Sequence, residues 1–498
     1  MMSSLSKLKE MRDFAGPRQT VGLSDQALER LLPKFPQLGA AIDAAHSLWS
    51  CLKGEYPTWF KMPEKDLIKY LQADYVNFYQ DIAINPYVAF EAKGPWVISA
   101  HGAVIHDSGG YGMLGFGHGP EKVIKAMSQD LVMANIMTAS FSQRRFTDHM
   151  RKEVGRNRAG DTRNPFAKFL CLNSGSEAMT VACRISDIQA KTMTDPGGRY
   201  AGRKIRFLSL TGSFHGRTER PAKVSHSSHK GYKVLASFRE DTQLDTVDPG
   251  NLDQLRAVFQ NADKNGIFYE AMFIEPVMGE GNPGVPLSRE FYDEARKLTK
   301  EHGSMFVMDS IQAGFRATGN LSLCDYPGFE NCDPPDMESF SKALNAGQYP
   351  LSVLGLSDSA AAIYKKGVYG NTMTTNPRAI EVACAVLESM TPELRKNIVE
   401  KGHDFLQKFT DLAKEFPGVI TKVQGTGLLF CVELAEDGYT VLGKKCVELD
   451  MRLDGIGVIH GGKNALRFTP HFAITSDEVD LVIQGVRHAL AKGPIYKD

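Results

Sequence analysis

Two residues of this chain, Asp309 and Lys342, combine types and spacing that could do chemistry. Asp309 ends the apolar run of residues 305–308, and Lys342 follows a second short run at residues 337–340, introduced by Pro334-Pro335. Lysine forms a Schiff base with an aldehyde once desolvation or neighbouring cations lower its pKa. A carboxylate beside a pyridine nitrogen keeps that nitrogen protonated and makes the ring an electron sink. An aspartate at a strand end and a surface lysine are also commonplace without any reaction, so the pair alone does not decide.

The elements that must position such a pair can be read around it. An unbroken apolar run of four residues suits a parallel strand covered on both faces, and open α/β sheets take their ligands at the carboxyl ends of their strands. Residues 169–172 form another such run, followed by Asn173-Ser174-Gly175-Ser176 and a helix with Val181, Ile185 and Ile188 on one face. A helix start offers free N–H groups and a positive dipole end to a phosphate, and Ser or Asn there is equally an ordinary N-cap. Residues 205–210 predict a strand that ends in Phe214, His215 and Arg217 around Gly216. An aromatic ring can lie flat on a cofactor, and an arginine can grip a carboxylate through two parallel hydrogen bonds. Residues 271–274 predict a further strand, closed by Glu275 and, after Gly279, by Glu280. Strands and helices therefore alternate across about 165–360, the pattern of a doubly wound parallel sheet. The polar groups gather at one set of strand ends.

The whole composition restricts the function classes. At 498 residues the chain exceeds a single core, so two or more lobes are expected. Lys plus Arg balance Asp plus Glu at 58 each, which leaves no basic excess for nucleic acid or anionic lipid. No apolar run approaches the ~20 residues of a membrane span. The eight cysteines include no CxxC pair and read as reduced, buried thiols, with the cytoplasm as the default location. Residues 1–20 are basic in places but lack the apolar core of a secretory signal, leaving a weak organelle transit peptide open. Nothing in the pattern points to a metal. Residues 1–95 read as a helical, aromatic-rich segment, 96–375 as the large domain and 376–498 as a small domain that the N-terminal segment completes. Residues 97–106 suggest two short strands flanking His101-Gly102, residues 425–433 one strand, and Thr475 to Glu478 a capping box for the final helix.

The ordered set GFGHGP, NSGSEA, GSFHGRT, FIEPVMGEG, DSIQAG, SFSKAL, GNTMTTNP and ALRFTP resembles the class III aminotransferases of the ornithine, lysine and 4-aminobutyrate subgroup. The resemblance covers roughly residues 95–490. It implies an α/β protein of fold type I, dependent on pyridoxal 5'-phosphate, with a mainly parallel doubly wound sheet in the large domain and a smaller α+β domain. Lys342 would then carry the cofactor as a Schiff base, and Asp309 would pair with its ring nitrogen. Gln312 would bond the phenolic oxygen, Phe214 would stack on the ring, and Gly175 and Ser176 would hold the phosphate. Thr372 would reach that phosphate from the neighbouring subunit of a homodimer. Ser174, His215 and Glu275 complete the cofactor-binding set. Arg467 would clamp the α-carboxylate of the keto acid, Arg217 the carboxylate of an ω-amino donor, and Glu280 would pair with Arg467 while that donor is bound. The gate has a physical reason, since an uncompensated buried arginine is costly.

Three places depart from the family pattern: Ser310 stands where an acid is usual, Thr374-Thr375 where two glycines are usual, and Tyr349-Pro350 where smaller residues are common. The expected function is transfer of an amino group from an ω-amino acid such as lysine, ornithine or 4-aminobutyrate to 2-oxoglutarate. Its partners would be small amino and keto acids, with no nucleic acid and no membrane. A decarboxylase, racemase or aminomutase on the same scaffold is the first alternative, and a non-catalytic cofactor-fold binding protein the second.

Overall fold

The computed structural model describes residues 2–160, 164–240 and 242–496. They divide into two compact units. One holds residues 121–399 and 425–429; the other holds the residues up to Pro120, residues 400–424 and those from Phe430 on.

The first unit is built on a seven-stranded sheet. In chain order its strands are β1 (Lys168–Leu172), β2 (Lys204–Leu210), β3 (Leu244–Val247), β4 (Ile267–Ile274), β5 (Met305–Asp309), β6 (Met337–Phe340) and β7 (Ser352–Leu356). Their order across the sheet is β1-β7-β6-β5-β4-β2-β3. Every pairing from β6 to β3 is parallel, whereas β7 runs antiparallel to both its neighbours, β1 and β6. The strands read as continuous apolar runs because both faces are covered. Met305 and Val307 belong to one core, with Phe273, Met337 and helix α1 (Gly175–Thr194); Phe306 and Met308 belong to another, with Met272, helix α2 (Leu252–Lys264) and helix α3 (Arg289–His302). Side-chain alternation along a strand separates the two cores. Phe306 is fully buried, so Phe306→Ala would cost about 3–5 kcal/mol through lost transfer energy and an unfilled cavity.

The helices end where their caps dictate. α1 starts in a capping box in which Ser174 Oγ accepts from Glu177 N while Glu177 Oε2 accepts from Ser174 N, at 3.3 and 3.1 Å. α3 stops at Gly303, whose φ of 78° closes the last turn in the left-handed region. The strands that carry Asp309 and Lys342 lie side by side in the sheet, with Asp309 in register with Ser339. The start of β7 ties the neighbouring strand ends together. Ser352 Oγ donates to Ser174 O at 2.6 Å, and Leu351 O accepts from Ser341 Oγ at 2.7 Å.

Two four-stranded sheets belong wholly or mainly to the other unit. In one, Trp96–Ser99 and Val104–Asp107 form the hairpin expected around Gly102, with Ile456–Gly457 parallel to the second strand. In the other lie Ile420–Thr426, Leu429–Leu434, Ala465–Phe468 and Ile459–Gly461. The single strand expected over residues 425–433 is therefore two. Gly427, at φ 55°, turns the chain between them. The final helix, Ser476–Ala491, has the capping box read from the sequence, formed by Thr475 and Glu478. Glu478 is also the hub of a buried network: its Oε1 lies 3.2 Å from His106 Nε2 and 2.9 Å from His471 Nε2. No helix among the described residues is long and apolar enough to cross a membrane. The eight cysteines carry free thiols, and all but Cys51 are buried.

Candidate active site

At the carboxyl ends of β1, β2, β4, β5 and β6, a cavity of about 190 Å3 is lined by residues 174–176, Phe214, His215, Glu275, Glu280, Asp309, Gln312 and Lys342. Asp309 is almost wholly buried. His215 Nδ1 lies 3.0 Å from its Oδ2, while Oδ1 accepts from Ser339 Oγ and Ile311 N, each at 3.2 Å. A carboxylate only accepts, so Nδ1 of His215 is the protonated nitrogen. Glu275 accepts from Phe214 N at 3.0 Å and Gly279 N at 2.8 Å. Burial pushes its carboxyl up to about 7, against the opposing pull of His215.

Lys342 Nζ donates to Gln312 Oε1, and Gln312 Nε2 is a buried donor with no partner among the described residues. The lysine opens a 3-10 turn over Lys342–Asn345 with a φ of 46°. A non-glycine residue in the left-handed region stores strain that the surroundings must hold, here through Ser341 Oγ and Asn345 Nδ2, both donating to Leu351 O. On the opposite wall, first-turn N–H groups of α1 have no intrahelical carbonyl to bond. Backbones come very close there: a Cβ on Gly216, whose φ is 119°, would stand 2.7 Å from Ser176 Oγ.

Three expected site residues are not among those that line this cavity. Arg217 stands at the rim, 44% exposed, with Nη2 3.7 Å from Glu280 Oε1 and its guanidinium 5.1 Å from the centre of the Phe214 ring. Thr372 is exposed, and its carbonyl accepts from Asn135 Nδ2 at 3.1 Å. Arg467 belongs to the other unit, buried on Ala465–Phe468 between Cys431 and Ile459. Of the departures, Ser310 donates through Oγ to Glu338 at 2.5 Å, and Thr374 Oγ1 donates to Cys171 O.

The model of the family "Aminotransferase class-III" matches residues 79–490. The chain belongs to this family. It is a pyridoxal-phosphate-dependent aminotransferase of fold type I. Among its relatives, the ornithine aminotransferase of Staphylococcus carnosus (strain TM300) is 27% identical over 81% of this chain and 93% of its own. Ornithine aminotransferase 2 of Staphylococcus aureus (strain Mu50 / ATCC 700699) is 28% identical over 81% and 94%. Among solved structures, the ornithine aminotransferase from Toxoplasma gondii ME49 superposes with a TM-score of 0.73 at 21% identity, covering 88% of this chain and 98% of that one. A second structure of the Toxoplasma gondii enzyme, described as having partial occupancy of PLP at its active site, gives 0.72 at 22% identity. At such identities the structural likeness speaks for the fold.

Some residues of this class III aminotransferase's site escaped sequence reading. Ser339 bonds Asp309, and Ser225 Oγ accepts from His215 N at 2.8 Å and donates to Gly216 O at 2.9 Å. Serines carry no signal of their own. Strand alternation could have placed Ser339 on the face of Asp309, since the two are in register.

Proposed function

We propose that this class III aminotransferase moves the amino group of an ω-amino acid to 2-oxoglutarate, with Lys342 and Asp309 at its chemical centre. The observation that carries the reading is that an amine and a buried carboxylate, on adjacent strand ends, line one cavity. The names of the relatives, ornithine aminotransferases, support an ω-amino donor. Pyridoxal phosphate, when bound, supplies an aldehyde that links to an amine and a protonated ring that withdraws electrons from the bond being broken.

The residues fit such a group in kind. Gln312 Nε2, a buried donor unengaged among the described residues, is suited to a phenolic oxygen, and the start of α1 suits a phosphate. Asp309, held from two sides by His215 and Ser339, would keep its charge against a ring nitrogen. Phe214 would cover the ring, and Glu275 would hold two separate loops, at Phe214 and at Gly279, through its two N–H contacts. Lys342 would tether the cofactor, and the incoming amine would displace it. Its freed Nζ would then take the proton from the donor carbon and return it to the cofactor side, acting as base and acid in turn. Arg217 would receive the donor's carboxylate in exchange for Glu280, and Arg467 the α-carboxylate of the keto acid. Thr372, exposed on its own chain, would serve a neighbouring subunit in a homodimer.

Incubating the enzyme with lysine, ornithine, 4-aminobutyrate and α-amino acids, each with 2-oxoglutarate, and measuring glutamate formed tests the reading. Glutamate formation from at least one ω-amine is expected, and formation only from α-amines would overturn the donor assignment. Lys342→Ala is expected to abolish turnover and the near-visible absorption of bound cofactor. Retained turnover would remove Lys342 from the mechanism.

A further inference from the structure

Ser310 joins the two residues that would meet the ring nitrogen and the phenolic oxygen, Asp309 before it and Gln312 two positions later. All three of its polar groups are engaged. Its N–H donates to Ser339 O at 3.0 Å, its carbonyl accepts from Gly314 N at 2.8 Å, and its hydroxyl donates to Glu338 Oε1 at 2.5 Å. Glu338 is an acid in the middle of β6, fully buried, on the sheet face opposite Ser339. Its carboxyl accepts three hydrogen bonds. Besides Ser310, Ser322 Oγ donates to Oε2 at 2.6 Å and Leu323 N to Oε1 at 2.8 Å. Burial raises this carboxyl to about 7, and Asp325 nearby adds to the rise.

A buried acid is retained at a cost unless its hydrogen bonds repay it, and an apolar residue would fill a strand position between two cores more cheaply. One of the three bonds reaches the turn that leaves β5, at Ser310, and the other two hold Ser322 and Leu323 later in the same connection between β5 and β6. We infer that Glu338 is a positioning residue, which fixes the Ser310 turn and thereby the directions of Asp309 and Gln312 toward the cofactor. The Glu338 carboxyl reaches the residue after Asp309 from the adjacent strand. The inference rests on the assignment of Asp309 to the cofactor ring.

The least disruptive test is Ser310→Ala, which removes one hydroxyl and leaves Glu338 its bonds to Ser322 and Leu323. In the holoenzyme, kcat is expected to fall about tenfold, the scale of one well-placed hydrogen bond, with little change in KM. Cofactor affinity, measured by titrating apoenzyme, should weaken by a similar factor. The pH midpoint of the bound cofactor's near-visible band should also move. Glu338→Ala should reproduce these changes, and Glu338→Gln, which still accepts from Ser310, should largely restore the wild-type values. In the Ser310→Ala background, Glu338→Gln should have no further effect on the band. Wild-type kcat, affinity and band midpoint in Ser310→Ala, alongside impairment of all three in Asp309→Asn, would overturn the inference and leave the assignment of Asp309 standing. An Asp309→Asn enzyme indistinguishable from wild type would instead overturn that assignment.

Discussion

Arg217 shows how much one side chain at the rim can decide. It lies over Phe214 and faces Glu280 at 3.7 Å, so the donor carboxylate proposed to bind there would have to compete with an acid already there. That competition favours a ligand able to form two parallel bonds over the single loose contact. Arg217→Ala is therefore expected to raise KM for the amino donor by about 10–100-fold while sparing the keto-acid half-reaction, and Arg467→Ala the reverse. Single-turnover kinetics of each half separate the two, and a swapped pattern would exchange the roles. That Lys342, Asp309 and Phe214 gather at one set of strand ends was legible in the sequence from the apolar runs that precede them. Glu338 was not: an acid inside a four-residue strand reads as solvent-facing, and its burial is decided by Ser310 and Ser322, 28 and 16 residues away.

Among the elements, the close meeting of the 214–217 loop with the start of α1 leaves no room for a side chain at Gly216. A methyl group there would meet Ser176 at 2.7 Å and sit on a backbone at φ 119°. Gly216→Ala is expected to cost roughly 1–3 kcal/mol of stability and to weaken cofactor binding more than tenfold. Thermal unfolding and apoenzyme titration check the two effects, and unchanged cofactor affinity would separate this contact from the phosphate end. The strands of the large sheet were legible because burial on both faces makes them unbroken apolar runs. The hairpin at Gly427 was not, because Leu428, Leu429 and Phe430 follow the turning glycine as one apolar run and its positive φ leaves no trace in the pattern. Cap chemistry was readable at Thr475, where the hydroxyl and Glu478 stand three apart.

For the whole molecule, acid sensitivity follows from Glu478. Burial alone would raise its carboxyl, but the hydrogen bonds from His106 and His471 outweigh that and hold it well below the usual carboxylate range. A carboxyl depressed on folding contributes its stability in full above its unfolded pKa and loses it as pH falls through the folded value. The Tm gap between wild type and Glu478→Gln is thus expected to be several degrees at neutral pH and to narrow progressively below about pH 4. A gap independent of pH would show that Glu478 acts through packing alone. The two-lobed organisation was foreseeable from length, whereas which distant segments share a unit follows from contacts that no local pattern records.

The placement of β7 has a consequence for how the protein is made. Its slot lies between β1 and β6, and its first residues clamp both the loop behind Lys342 and the backbone before α1. On the ribosome, residues 168–172 have no partner on that side until residues 352–356 have emerged. That edge of the sheet therefore closes only once nearly three-quarters of the sequence has been made.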